Sequence, residues 1–215
     1  MSRLDSKKED LKSAYFEIGM MLTQLRDIKF KSVGLLDKHL NVVRIPTKNT
    51  EHHPVTNFVL DCLKNPNLIK RTGTRLKDAI QRLILEQDQL LLATDEGNHL
   101  VHGDFKIENI MVKNINGKIH LAGILDWEYA RSDSSYGDMA TLFRGDYNKK
   151  SIFKQAFSEG FKSKDTDLIQ DWDKASKLID LVNICSFLCS SSNRLVLYEI
   201  MINHLKNTIN YFKGE

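Results

Sequence analysis

Between two long tracts of helical spacing lies one short block, residues 99–125, that reads as extended structure. His99–His102 is a short extended piece ending at Gly103, and Ile110–Lys113 and Lys118–Leu125 are β-rich runs joined by Asn114-Ile115-Asn116-Gly117. An Asn-Gly pair between two such runs predicts a hairpin, because its turn needs positive φ and these residues adopt it at least cost. The flanking tracts are helical. Leu11, Tyr15, Ile18, Leu22 and Leu25 step by three and four along one face of a helix from Asp5 to Arg26. The pattern dissolves from Asp27 to Pro54 into a long connection containing Gly34 and Pro46. A short helix is expected over Val55–Leu63. A longer one is expected over Thr74–Leu92, capped by Thr74, with Leu76, Ile80, Leu83, Ile84 and Leu91 turned inward. Beyond Asp126, Tyr136–Tyr147, Ser151–Gly160, Asp167–Leu188 and Asn193–Phe212 all carry helical spacing. The expected fold class is therefore mainly α (α+β), helical with one small β-hairpin.

Composition narrows the function. At 215 residues, 41% hydrophobic and 27% charged, the chain can build a sizeable core. A net charge of +3, with lysines spread among acidic residues, supplies no basic stripe for nucleic acid. The opening MSRLDSKKEDLKSAYF lacks an apolar signal core and no run approaches spanning length, so no membrane association is expected. Cys62, Cys185 and Cys189 form neither a disulfide framework nor a zinc spacing, which points to a reducing, cytoplasmic setting.

The polar residues collected at the hairpin carry the chemistry. In Val101-His102-Gly103-Asp104-Phe105-Lys106-Ile107-Glu108-Asn109, an Asp is followed five positions later by an Asn and then a hydrophobic strand; Ile124-Leu125-Asp126-Trp127-Glu128 ends the second strand on another Asp. Phosphoryl transfer calls for such a set. One carboxylate holds the acceptor hydroxyl and takes its proton, while an Asn and a second carboxylate hold magnesium against nucleotide phosphates.

HGDFKIEN and ILDWE resemble the aminoglycoside phosphotransferase family, a branch of the protein-kinase-like fold. Ile18-Gly19-Met20-Met21-Leu22-Thr23-Gln24-Leu25 resembles that family's helix ahead of its insert, and Tyr136-Gly137-Asp138-Met139-Ala140 the block after its metal Asp. The resemblance implies a kinase-like C-terminal lobe over 1–215: an N-terminal helix and helical insert (1–98), a catalytic loop and metal-site hairpin (99–130) and C-terminal helices (131–215). It implies Asp104 as catalytic base or acceptor-positioning carboxylate, and Asn109 and Asp126 as ligands of Mg2+ and so of ATP. Lys106 would face the transferring phosphate, His102 would brace the catalytic loop, and Asp138 would anchor it. Glu128 and Asp133 are candidate contacts to a cationic substrate. Trp127 and Trp172 are expected to be core aromatics.

No Gly-x-Gly and no Walker-type loop occurs in the sequence. The β-lobe that clamps ATP in such enzymes is accordingly expected to come from a separate polypeptide or an upstream extension of the chain, or the exposed face to be covered in a homodimer. The expected activity is transfer of the γ-phosphate of ATP to a hydroxyl of a small molecule, an antibiotic or a metabolite. The competing expectation is a non-catalytic, truncated lobe acting as a binding module or remnant.

Overall fold

The structure, a computed structural model, describes residues 3–44, 51–94, 97–164 and 167–214. Among them the elements run α1 (Arg3–Arg26), β1 (Gly34–Leu36), β2 (Val42–Arg44), α2 (Pro54–Cys62), α3 (Pro66–Glu86), α4 (Asp88–Leu92), β3 (His99–Val101), β4 (Ile110–Ile115), β5 (Lys118–Ile124), β6 (Arg131–Asp133), α5 (Tyr136–Leu142), α6 (Ile152–Lys162), α7 (Trp172–Cys189) and α8 (Leu195–Lys213). The mainly α, α+β character is as expected. Two compact units divide the chain: Met1–Ile45 with Glu96–Leu142 and Asn148–Gln170, and Pro46–Asp95 with Phe143–Tyr147 and Asp171–Glu215.

The first unit is organised by α1. Its inner face buries Ala14, Ile18 and Leu22, and it packs against α6 through two glycines. A Cβ at Gly160 would lie 1.9 Å from the Phe16 carbonyl oxygen, and one at Gly19 would lie 2.2 Å from that of Phe157. Backbone therefore meets backbone at this crossing. Thr23 Oγ1 donates to the Phe161 carbonyl at 2.7 Å and Tyr15 stacks on Phe153. Gly160→Ala should force the helices apart, and overpacking of this kind costs about 1–3 kcal/mol; a urea melt reading no loss would contradict the crossing.

Once fixed by α6, α1 anchors the hairpin. Glu17 takes His120 Nδ1 at 2.6 Å on one carboxylate oxygen and the Leu121 amide at 2.7 Å on the other, holding β5 from its flank. The β4–β5 turn is Asn116-Gly117 with φ of 53° and 84°, the doubly left-handed turn that its sequence predicts. The other sheet has the order β2-β1-β6-β3, antiparallel throughout. Its β3–β6 register pairs Val101 with Arg131 and His99 with Asp133, setting β6 beside the strand that leads into the His102 loop.

The second unit is helical. Val59, Leu68, Ile80, Ile84, Leu91, Leu178, Ile184 and Leu205 are among the buried residues of one apolar core. Asp88, itself buried, accepts the His53 amide, the Thr56 hydroxyl and His52 Nδ1, tying the start of α2 to α4. The three cysteines are free thiols, with Cys185 buried.

Several expectations need correction. Residues 27–54 are not an unstructured connection: β1 and β2 lie there, while Pro46 falls outside the described residues. The helix expected from Thr74 starts at Pro66, breaks at Gly73 (φ 72°) and ends at Glu86 before the separate α4. Helix α5 stops at Leu142 and α7 starts at Trp172, both shorter than their periodic spacing suggested. Leu11 is exposed, so the inner face of α1 runs through Ala14 instead. Trp172 is buried as expected, whereas Trp127 is 37% exposed.

Candidate active site

Strand β3 delivers the loop from a buried Val101. Gly103 follows at φ 82°, and a Cβ there would lie 2.2 Å from the Tyr129 carbonyl oxygen and 2.7 Å from Arg131 Nη1, so only glycine fits. Asp138, on the first turn of α5, accepts the His102 amide at 2.8 Å and the Gly103 amide at 2.9 Å. Burial pushes the Asp138 carboxyl above the ordinary carboxylate range, and these two amides oppose the shift.

His102 is fully buried. Its Nε2 lies 2.8 Å from the Leu125 carbonyl, and its Nδ1 accepts the Asp104 amide at 3.2 Å. A carbonyl only accepts and an amide only donates, so these partners assign the neutral ring protonated on Nε2. The ring packs edge-on to Phe105 and Trp127, with centroids 5.7 and 4.8 Å away. His102 thus couples the loop that carries Asp104 to the strand end that carries Asp126. Trp127, expected in the core, forms one wall of this brace and donates Nε1–H to the Ile124 carbonyl.

Asn109 ends a 3-10 turn over Ile107–Asn109 and is buried. Its Nδ2 donates to the Asp104 carbonyl at 3.0 Å and lies 3.4 Å from Asp104 Oδ2. With the nitrogen so engaged, the side-chain carbonyl is the remaining donor oxygen. The Leu125 amide donates to the Asn109 backbone carbonyl at 2.8 Å, which brings the Asp126 segment alongside. Asp126 is exposed, with φ 66° and ψ 61°. Lys106 Nζ sits 2.5 Å from Asp104 Oδ2, and that bond, with the charges of Asp104, Asp126 and Glu108, holds its ammonium above the usual lysine value. Among the described residues no group of three or more His, Cys, Asp and Glu could hold a metal. Asn109 and Asp126 instead present two hard oxygens, a set that suits Mg2+ completed by water and phosphate oxygens.

The structure thus brings His102, Asp104, Lys106, Asn109, Asp126 and Asp138 into one loop cluster. Glu128 is exposed in the 3-10 turn Trp127–Tyr129. Asp133 is engaged within β6, where Oδ2 accepts Arg131 Nε–H at 2.8 Å and Oδ1 the Ser134 amide at 2.8 Å. Arg131 went unnoticed in the sequence, since only the β3–β6 register reveals that it lies against the loop.

The sequence profile of the Phosphotransferase enzyme family (APH) matches residues 5–177. The chain belongs to this family. No curated protein sequence matches it. Among solved structures, this family member is similar to the choline kinase LicA from Streptococcus pneumoniae at 13% identity and a TM-score of 0.56, over 93% of this chain and 65% of that one. It is similar to the ADP-bound aminoglycoside phosphotransferase APH(2'')-Ib at 14% identity and a TM-score of 0.52, over 99% of this chain and 67% of that one. At such identities the likeness is one of fold, which is kinase-like. The chain spans about two thirds of the length of either enzyme. No helix among the described residues is long and apolar enough to cross a membrane.

Proposed function

We propose that this phosphotransferase-family chain is the catalytic lobe of an ATP-dependent enzyme that moves the γ-phosphate to a hydroxyl of a small molecule. The observation that carries the reading is the loop cluster: Asp104 hydrogen-bonded to both Lys106 and Asn109, with the Asp126 segment bonded to Asn109. Asp104 would receive the acceptor's proton as its oxygen attacks the γ-phosphorus and the bond to the bridging oxygen of ADP breaks. Asn109 and Asp126 would hold Mg2+, which supplies charge neutralisation for the phosphates. Lys106 would shift from Asp104 toward the transferring phosphoryl group, where its positive charge is needed. His102 moves no proton, because both of its nitrogens are committed to backbone.

The acceptor class is drawn from the family: hydroxyl-bearing antibiotics or metabolites, in keeping with the enzymes that share the fold. Ile107, Met111, Val112, Leu125, Trp127 and Tyr129 are exposed apolar residues on the elements that bear the site. That surface supports a second requirement, a nucleotide-clamping lobe that covers it, on this polypeptide or another.

Calorimetry on the 215-residue chain tests the reading. Magnesium-dependent ATP binding is expected, and Asp126→Ala should weaken it by about 10–100-fold, as for loss of one of two protein ligands. Equal binding by both chains, or binding indifferent to magnesium, would remove Asp126 from the nucleotide site. If ATP is bound but no hydroxyl acceptor consumes it when a clamping lobe is added, the binding-module alternative stands.

A further inference from the structure

We propose that Arg131 is a positioning residue for the catalytic loop, its guanidinium wedged against the Gly103 turn and placed to offset the buried charge of Asp138 that grips that turn. Its relevance to transfer rests on the phosphotransferase reading, whereas the contacts stand without it. In the β3–β6 register Arg131 lies opposite Val101, the residue directly before His102, and cross-strand partners share a face of the sheet. Three sides of the guanidinium are defined. Nε donates to Asp133 Oδ2 at 2.8 Å, Nη1 lies 2.7 Å from where a Gly103 Cβ would stand, and Nη2 lies 3.9 Å from the same point at Gly137. Both positions are glycines, and at Gly103 the guanidinium occupies the space that a side chain would need.

The electrostatics point the same way. Asp138 is wholly buried, and the groups whose charges act on it to favour ionisation are His102, on the loop, and Arg131, on β6. The hydrogen bonds of His102 commit it to the neutral form, which leaves Arg131 as the cation of the pair. An uncompensated buried carboxylate is costly, and a nearby guanidinium, which does not lose its proton, lowers that cost at every accessible pH. Ionised Asp138 is the acceptor for both the His102 and the Gly103 amides, so whatever keeps it ionised keeps the backbone beside Asp104 in register. Asp133 holds the guanidinium in place, which gives this carboxylate a role distinct from substrate contact.

The test needs no nucleotide, so absence of ATP turnover would count against the phosphotransferase reading alone. Carboxyl carbon NMR titration of Asp138, and amide exchange at His102 and Gly103, are measured on the 215-residue chain, on Arg131→Gln and on Arg131→Lys. Arg131→Gln should move the Asp138 midpoint upward and lower protection of the two amides by roughly tenfold, a local opening rather than a global one. Arg131→Lys should return the midpoint most of the way, since the charge is restored, while protection recovers only in part. A purely structural arginine would lower the melting temperature without moving the midpoint. An unmoved midpoint in Arg131→Gln, or a lysine variant indistinguishable from the glutamine one, overturns the proposal. Should Arg131→Gln not fold, Asp133→Asn loosens the anchor while keeping the charge. It should lower protection of the two amides with no rise in the Asp138 midpoint, and unchanged protection would equally overturn the idea.

Discussion

If Asp104 takes the acceptor's proton as proposed, its replacement by Asn should lower kcat by about 10²–10⁴-fold, the range for loss of a positioned general base, while the KM for nucleotide changes little. The asymmetry follows from the site. The amide has almost the same shape as the carboxylate and can still hold an acceptor hydroxyl, so binding geometry survives. It has no affinity for the hydroxyl proton, so the step in which that proton must leave is lost. In the proposed reading the nucleotide falls to other side chains, Asn109 and Asp126; Asn109 is held by the Asp104 carbonyl as well as by Asp104 Oδ2, and the Leu125 amide beside Asp126 bonds the Asn109 carbonyl. The substitution also releases Lys106, whose ammonium is held by that same oxygen. Steady-state kinetics with any accepted hydroxyl substrate reads the result. A variant that keeps its kcat but raises its KM for nucleotide would move Asp104 from the proton-transfer role to nucleotide binding.

Asp138→Ala should cause the largest loss of stability. It leaves the His102 and Gly103 amides without their shared acceptor in a fully buried site. An orphaned buried donor costs about 1–3 kcal/mol, so two cost roughly 2–6 kcal/mol, offset in part because a buried charge is also removed. Asp138→Asn, which keeps one accepting oxygen and carries no charge, should cost less. The pH dependence separates the two contributions. Burial raises the folded carboxyl above its unfolded value of 3.8, so between those two values the native protein binds more protons than the unfolded chain. Wild type therefore gains stability relative to Asp138→Asn as the pH falls through that window, and the advantage is lost as the pH rises back through it. Urea melts at a series of pH values would show the gap widening on acidification; a gap that narrows would mean the charge is not buried in this way.

How much of this could be read in advance depended on how local the cause was. The β4–β5 turn was readable because Asn116 and Gly117 are chemically suited to left-handed backbone. The β1–β2 turn was not. It lacks glycine and is closed by a side chain, with Asp37 accepting the amides of His39 and Asn41 while Leu40 takes φ 61°. Three-residue strands also carry too little alternation to register against the surrounding polar sequence. Trp127 was expected in the core because large aromatics usually lie there, but a position just past a strand end packs it on His102 from the outside. The candidate loop was the easiest part to delimit, since Asp104, Lys106 and Asn109 lie within six positions of one another. Arg131 was invisible because its neighbour, Gly103, is distant in sequence and is brought to it by sheet register alone.

The backbone at Asp126 sets folding and chemistry at odds. A left-handed conformation there is cheapest for glycine and tolerable for asparagine. Relaxed of any demand on its side chain, position 126 would lose nothing in stability by drifting to glycine, whereas aspartate bears a modest conformational strain. Within the proposed reading, that strain is the cost of presenting a carboxylate at the end of β5. Substitutions at 126 should therefore show stability and activity moving in opposite directions, so a screen that rewards only thermal robustness would select against the magnesium site.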